Sequence, residues 1–192
     1  GFTYVDDIFS TTRPDIASGS IIANGGFTGG GASIRLNQGG GFGGAAASSG
    51  GWTQTFNVPG TGTAQLSLRY RLTQGGGHDN GEFGEAVLTI DGVRYGTSTN
   101  NSLVHRAGAT QGGYDSQWQL ATFNVPLTAG NHTIVLGAYN TSSGGGGGAG
   151  ATEWSQVYFD DLSIAFSGGA TGVLDNDTDA DGNPLSASLV PG

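Results

Sequence analysis

The stretch Ala64-Gln65-Leu66-Ser67-Leu68-Arg69-Tyr70-Arg71-Leu72 decides the fold class. Ala64, Leu66, Leu68, Tyr70 and Leu72 fall on one side of an extended chain, and Gln65, Ser67, Arg69 and Arg71 on the other. That alternation belongs to a half-buried strand. Shorter runs of the same kind flank it: Phe2 to Phe9, Ala32 to Leu36, Trp52 to Val58, Ala86 to Ile90, Gln119 to Val125, His132 to Ala138 and Gln156 to Phe166. Trp52 shares its side with Phe56 and Val58, so it reads as a core residue. Asp91-Gly92, between Ala86–Ile90 and Val93-Arg94-Tyr95, is a two-residue hairpin signal. Gln119–Val125 and His132–Ala138 read as a further strand pair joined through residues 126–131. Gly, Asn, Ser and Thr interrupt every stretch too often for a ten-residue helix. Eight or nine strands with turns at this spacing predict an all-β, antiparallel sandwich or barrel.

Composition narrows the function. The 192 residues include 39 glycines, no cysteine and no methionine. Glycine is about a fifth of the chain, against a usual share of roughly 7%. Without a Gly-X-Y period it is not collagen. The absence of cysteine removes disulfides, thiolate catalysis and cysteine zinc sites. His78, His105 and His132 lie too far apart in sequence for a helical zinc motif. Fifteen acidic against six basic residues, a net charge of −9, argue against nucleic acid as a partner. No apolar run is long enough for membrane insertion. The chain opens at Gly1 with no signal peptide and reads as a piece of a longer protein.

Phe56-Asn57-Val58-Pro59 recurs as Phe123-Asn124-Val125-Pro126, and each copy precedes an alternating strand. Two copies suit two sheets of similar wiring, with each strand stopped where proline removes a ladder donor. The composition changes after Phe166. Residues 167–170 read as a linker, and 171–192 as the start of a second unit. The latter contains Asp175-Asn176-Asp177-Thr178-Asp179-Ala180-Asp181-Gly182, with oxygen donors at alternate positions as a hard cation requires. No downstream glutamate completes an EF-hand, and a solvated acidic linker is the competing reading.

Two resemblances add to this. Val173 to Val190 (VLDNDTDADGNPLSASLV) resembles the opening of the cadherin-like, Ig-type repeats of large bacterial secreted and surface proteins. That resemblance implies calcium at the junction between neighbouring domains, with Asn176, Asp177, Asp179 and Asp181 as ligands. Residues 1–166 resemble jelly-roll carbohydrate-binding modules of the galactose-binding-like type. The likeness rests on Trp52 to Pro59 leading into Ala64 to Tyr70, and on the closing Val157-Tyr158-Phe159-Asp160-Asp161-Leu162-Ser163-Ile164. It implies a structural Ca2+ held by Asp160 with Asp6 or Asp7. Asp160 also shares strand parity with Leu162, Ile164 and Phe166, which places its carboxylate inward. An inward carboxylate needs a metal, or a cation such as Arg13 or Arg35.

Sugar binding requires aromatic platforms beside planar hydrogen-bonding groups. Trp118, Trp154, Tyr114 and Tyr139 lie in or beside polar, Gly-rich segments. Asp79, Asn80 and Glu82 form a polar rim, and the outward Arg69 and Arg71 suit an acidic glycan. Packing at the core or rim is the competing role for each ring. Residues 39–44 and 144–148 are glycine loops that either approach a ligand closely or serve as bare loop tips. Glu82, Glu85 and Asp91 invite a glycosidase reading, but no G-x-S-x-G elbow or local triad supports catalysis.

The sequence therefore predicts a β-sandwich of jelly-roll type with a short C-terminal extension. Its expected role is non-enzymatic, calcium-stabilised glycan binding within a large secreted or cell-surface protein, alongside neighbouring domains of the same polypeptide. The rival is a structural or adhesive spacer of a giant adhesin with no sugar ligand. An exposed row of coplanar aromatics would favour the first, and buried aromatics the second.

Overall fold

The computed structural model describes residues 1–13, 16–37, 45–108, 113–143 and 153–168. Twelve strands run in chain order: β1 (Thr3–Asp6), β2 (Ala17–Ile22), β3 (Gly31–Leu36), β4 (Ala45–Val58), β5 (Gly62–Gln74), β6 (Phe83–Ile90), β7 (Val93–Arg94), β8 (Val104–Ala107), β9 (Tyr114–Asp115), β10 (Gln119–Leu127), β11 (Gly130–Ser143) and β12 (Ser155–Gly168). The first sheet has the order β1-β4-β11-β6-β7, with β8 also on β6. The second has the order β10-β5-β12-β3-β2, with β9 also on β5. All ladders are antiparallel, and the two sheets form a β-sandwich of jelly-roll type. No helix among the described residues is long and apolar enough to cross a membrane.

The alternation in β5 does what its pattern requires. Ala64, Leu66, Leu68 and Leu72 are buried between the sheets against Ile34, Leu36, Leu88, Ile134 and Phe159. Burying each large side chain contributes about 1.5–3 kcal/mol. Trp52 is buried as expected, and its indole N–H donates to the Ser33 carbonyl at 3.2 Å. At the β6–β7 turn, Asp91 and Gly92 have φ of 51° and 78°, and Ile90 pairs with Val93. Both residues thus hold the left-handed conformation a tight primed turn demands.

Three expectations fail here. The first concerns β10 and β11, which do not pair with each other. β10 runs along β5 in the second sheet, and β11 lies between β4 and β6 in the first. The connection from β4 to β5 makes the opposite crossing, so both copies of Phe-Asn-Val-Pro precede a switch of sheet. The second concerns proline as a stop. Pro59 follows the end of β4, but Pro126 lies inside β10 opposite Thr63. β10 is an edge strand, where a missing N–H costs no ladder bond.

The third concerns Asp160. The ladder to β5 pairs Asp160 with Arg69 and then resumes with Ser163 opposite Ser67. One extra residue is inserted, and Asp161 takes φ of 50°. The bulge reverses parity: Val157 and Phe159 point inward before it, and Leu162, Ile164 and Phe166 after it. Asp160 therefore belongs to the outward set with Gln156 and Tyr158. β12 also continues to Gly168, two residues beyond the expected end of the body. Asp177, Asp179 and Asp181 lie outside the described residues, as do the glycine loops at 39–44 and 144–148.

Candidate functional site

The outer face of the second sheet carries an aromatic and arginine stripe. Register places Tyr158 between Arg71 on β5 and Ser33 on β3, and Gln156 between Thr73 and Arg35. All of these side chains point away from the core. Arg35 lies over the Trp154 ring, 3.6 Å from its centre, and donates from Nη1 to Gln156 at 3.3 Å. Burial depresses the Arg35 pKa, and its Nε has no hydrogen-bond partner. Trp118, on the connection from β9 to β10, meets Tyr158 at 6.2 Å and Phe27 at 6.1 Å between ring centres. Phe27 comes from the β2–β3 loop, and Arg69 lies 3.8 Å over its ring.

Carboxylates hold this stripe in place. Arg71 makes a two-pronged pair with Asp115 through Nε and Nη2. That pairing raises the Arg71 pKa and lowers that of Asp115. Asp160 accepts the Thr28 backbone N–H at 2.9 Å, and Asp161 accepts the Thr28 hydroxyl at 2.8 Å while lying 3.8 Å from Arg69 Nε. The β2–β3 loop is thereby pinned across β12. Beside Asp160 and Asp161 opens a cavity of about 280 Å³ lined by Phe2, Ile21, Phe159 and Leu162 among others.

Half of the chain's six basic residues (Arg35, Arg69 and Arg71) thus lie on one face with four aromatic rings. From Trp154 to Asp160 the stripe follows six residues of β12, about 20 Å of strand. Its rings are not coplanar. Phe27 and Trp118 stand at 72°, and Trp118 and Tyr158 at 58°. The surface is ridged, with ring edges and guanidinium N–H groups presented together.

A second polar centre lies where the β5–β6 loop meets the start of β12. Asp79, Glu82 and Glu153 bring carboxylate oxygens within 4.8 Å of one another. Asp79 is exposed, whereas Glu82 and Glu153 are each 2% exposed. The turn is closed by Glu82 N–H to the Asp79 carbonyl at 3.2 Å, and a Glu82 carboxylate oxygen accepts the Asp79 N–H. Burial, then Glu82 and Asp79, push the Glu153 carboxyl above its ordinary range.

The expected site residues divide accordingly. Trp118, Trp154, Arg69 and Arg71 come together on the stripe. Tyr114 does not: it is half-buried against the core, with Arg106 over its ring at 4.6 Å. Tyr139 lies on the other sheet, stacked on Phe83 at 5.7 Å and 17°. Asp79 and Asn80 are exposed on the loop, but Glu82 is buried and is no rim residue. Asp7 accepts the Thr11 N–H and hydroxyl, both at 2.5 Å, and the Ser49 hydroxyl at 3.3 Å, and these bonds lower its pKa. Asp6 accepts the Asp7 N–H. Asp160 accepts from Thr28 instead of sharing a hydrogen-bond partner with either. Arg35 turns to Gln156 and the Trp154 ring rather than to Asp160.

Sequence reasoning missed Phe27, Tyr158, Arg35 and Glu153. Tyr158 and Arg35 were legible once register was known, because they align across β12 and β3 with Arg71 and Thr73 on β5. The three carboxylates considered for glycosidase chemistry occupy three separate networks. Glu82 meets Glu153. Glu85, 1% exposed, takes Arg94 Nη1 at 3.1 Å and His105 Nδ1 at 2.8 Å. Asp91 accepts the Thr133 N–H and meets His132 at 2.6 Å.

No protein-family model matches the chain, and no curated protein matches it. Solved structures do. TmCBM61 in complex with β-1,4-galactotriose is 11% identical, with 86% of this chain and 88% of that one covered and a TM-score of 0.39. CBM35 from Paenibacillus barcinonensis is 15% identical over 85% and 98%, with a TM-score of 0.32. The K1 cleaved adhesin domain of Lys-gingipain from Porphyromonas gingivalis is 12% identical over 87% and 91%, with a TM-score of 0.41. Likenesses at this level assign no ligand and no residue role here.

Proposed function

We propose that this domain is a non-catalytic glycan-binding module whose reading surface is the outer face of the second sheet. The observation that carries the proposal is the interleaving of Trp154, Tyr158, Trp118 and Phe27 with Arg35, Arg71 and Arg69. Sugar C–H faces pack against aromatic surface, and fixed planar donors select the hydroxyl or carboxylate pattern. The Arg35, Arg69 and Arg71 guanidinium groups favour a glycan bearing carboxylate or sulfate groups. The wider setting belongs to the same proposal: a large secreted or surface protein, a calcium-stiffened junction at Asp177, Asp179 and Asp181, and neighbouring domains in one polypeptide.

The spacer reading retains one observation in its favour. The rings stand at 72° and 58° to one another rather than in one plane, and two of the three guanidinium groups already lie within 4 Å of a ring centre. A glycan-array screen of the full chain, beside Trp118→Ala and Arg69→Ala, decides between the two. Binding to one class of acidic glycan, reduced at least tenfold in either variant, is the expected result. A blank array, or binding untouched by both substitutions, overturns the proposal and favours the spacer.

A further inference from the structure

The Asp79, Glu82 and Glu153 centre is built more elaborately than a surface acidic cluster. Glu153 lies two residues before β12, and a buried polar network fixes its backbone. Its carbonyl accepts Asn37 Nδ2 at 2.7 Å and Asn140 Nδ2 at 3.2 Å. Asn140 Oδ1 in turn accepts the Ser155 hydroxyl at 2.6 Å and faces His78 Nε2 at 2.9 Å. Glu82 is tied from the other side, because its carbonyl accepts the Gly108 N–H at 2.7 Å. Asn37, His78, Asn140 and Ser155 are all buried.

What this network encloses is left unfinished. Glu153 Oε1 is buried, has no hydrogen-bond partner, and belongs to the carboxylate that meets Glu82 and Asp79. Asn37 Oδ1 is likewise buried and unpaired. Two almost fully buried carboxylates with a third beside them repel one another, and burial denies them the water that would screen the repulsion. Proteins retain such an arrangement when a cation completes it. An all-oxygen donor set, with one exposed member open to water, suits a hard divalent ion with room for solvent ligands.

We infer that Asp79, Glu82 and Glu153 form a calcium-binding site that joins the β5–β6 loop to the start of β12. It is not the site implied by the resemblance to carbohydrate-binding modules, which would use Asp160 with Asp6 or Asp7. The ion would cross-link loop and strand at the residue before Trp154, which opens the aromatic stripe. Calcium binding here is read without any glycan, so it stands or falls separately from the proposed function.

The test uses the full chain after chelator treatment. Calcium is added and followed by calorimetry and by thermal melting, with magnesium in parallel. Wild type is expected to bind calcium and to gain about 5–10 °C in Tm at a hundredfold excess over Kd. Glu153→Gln and Glu82→Gln are expected to weaken binding at least tenfold and abolish the shift. A variant carrying Asp177→Asn, Asp179→Asn and Asp181→Asn is expected to keep the shift, which separates this site from the C-terminal acidic segment. Should a buried substitution fail to fold, the exposed Asp79→Asn still reports, with an expected tenfold loss. No shift in wild type overturns the inference, as does a full shift in Glu153→Gln or loss of the shift in the C-terminal variant. Glu153→Gln raising Tm while wild type ignores calcium would mean that the two glutamates share a proton instead.

Discussion

The two outer faces of the sandwich are finished in opposite ways. On the first sheet, Gly51 of β4 lies directly opposite Gly137 of β11. The chain after β1 folds back over this pair. A methyl group on Gly137 would come within 2.7 Å of the Phe9 ring, and one on Gly51 within 3.0 Å of Ile8. Asp7 makes the fold-back possible by accepting the Thr11 N–H and hydroxyl. Further along, Arg94 extends over Phe9 and pairs with the buried Glu85. On the second sheet the outward positions hold large rings and guanidinium groups, and no strand or terminal segment covers them among the described residues. One face is floored with glycine so that the chain itself can close it. The other is furnished with side chains that have their own contact surface. The difference separates a face that stabilises the domain from the face on which the proposed glycan surface lies.

Substitutions on the two faces should therefore behave differently, and the largest effect is expected beneath the cover. Arg94→Ala leaves Glu85 buried with only His105 and the more distant Asn100 amide as partners. The expected loss is about 3 kcal/mol, because a buried carboxylate loses its permanent cation. Urea unfolding measures it, and a change below 1 kcal/mol would mean that Glu85 is hydrated after all. Gly137→Val should rank second. Its side chain must displace Phe9, at an expected cost of about 1–3 kcal/mol. An increased susceptibility of the first twelve residues to proteolysis would confirm that the cover has lifted. Arg69→Ala, on the open face, should cost less than 1 kcal/mol, since its ion pair with Asp161 is long and solvent-exposed. Equal losses at Arg94 and Arg69 would erase the distinction between the faces.

How far the sequence discloses this contrast depends on the range of the interaction. The strand alternation in 64–72 and the Asp91-Gly92 turn are local, and both stand in the structure as read. Trp118, Trp154, Arg69 and Arg71 were legible as outward or loop residues from parity and composition alone. Parity alone turns Asp160 inward, but a single inserted residue reverses it, and nothing in Asp160-Asp161-Leu162 announces a bulge. Neighbours in sequence usually pair, which favours β10 with β11, whereas here the chain crosses between sheets. Ala17–Ile22 escaped notice because an edge strand of small and polar residues has little apolar alternation. Glu153 carries no signal of its own. It matters only because the fold brings it to Glu82, and that proximity spans 71 residues of chain.

The smallest effect expected is one of pH, and it separates the faces by chemistry rather than by size. Asp91, at the tip of the β6–β7 hairpin, meets His132 at the start of β11 in the covered sheet. The Asp91 hydrogen bond raises the His132 pKa above 6.5, and His132 lowers that of Asp91 below 3.8. A histidine whose pKa is higher in the folded state adds stability that is complete below pH 6.5. That stability is lost as pH rises through the folded value. Asp91 adds stability present above pH 3.8 and lost as pH falls through its lowered value. The pair therefore contributes most between these limits, and stability should decline modestly from pH 6 to pH 9. His132→Gln should flatten the decline. The stripe has no such dependence near neutrality, because its cations are all arginine and Asp115 titrates far below. Stability measured by urea and glycan affinity measured by calorimetry should consequently part company over that range, the first falling and the second holding. A parallel fall in both would mean that the covered sheet sets the geometry of the open one, and the two faces would no longer count as independent.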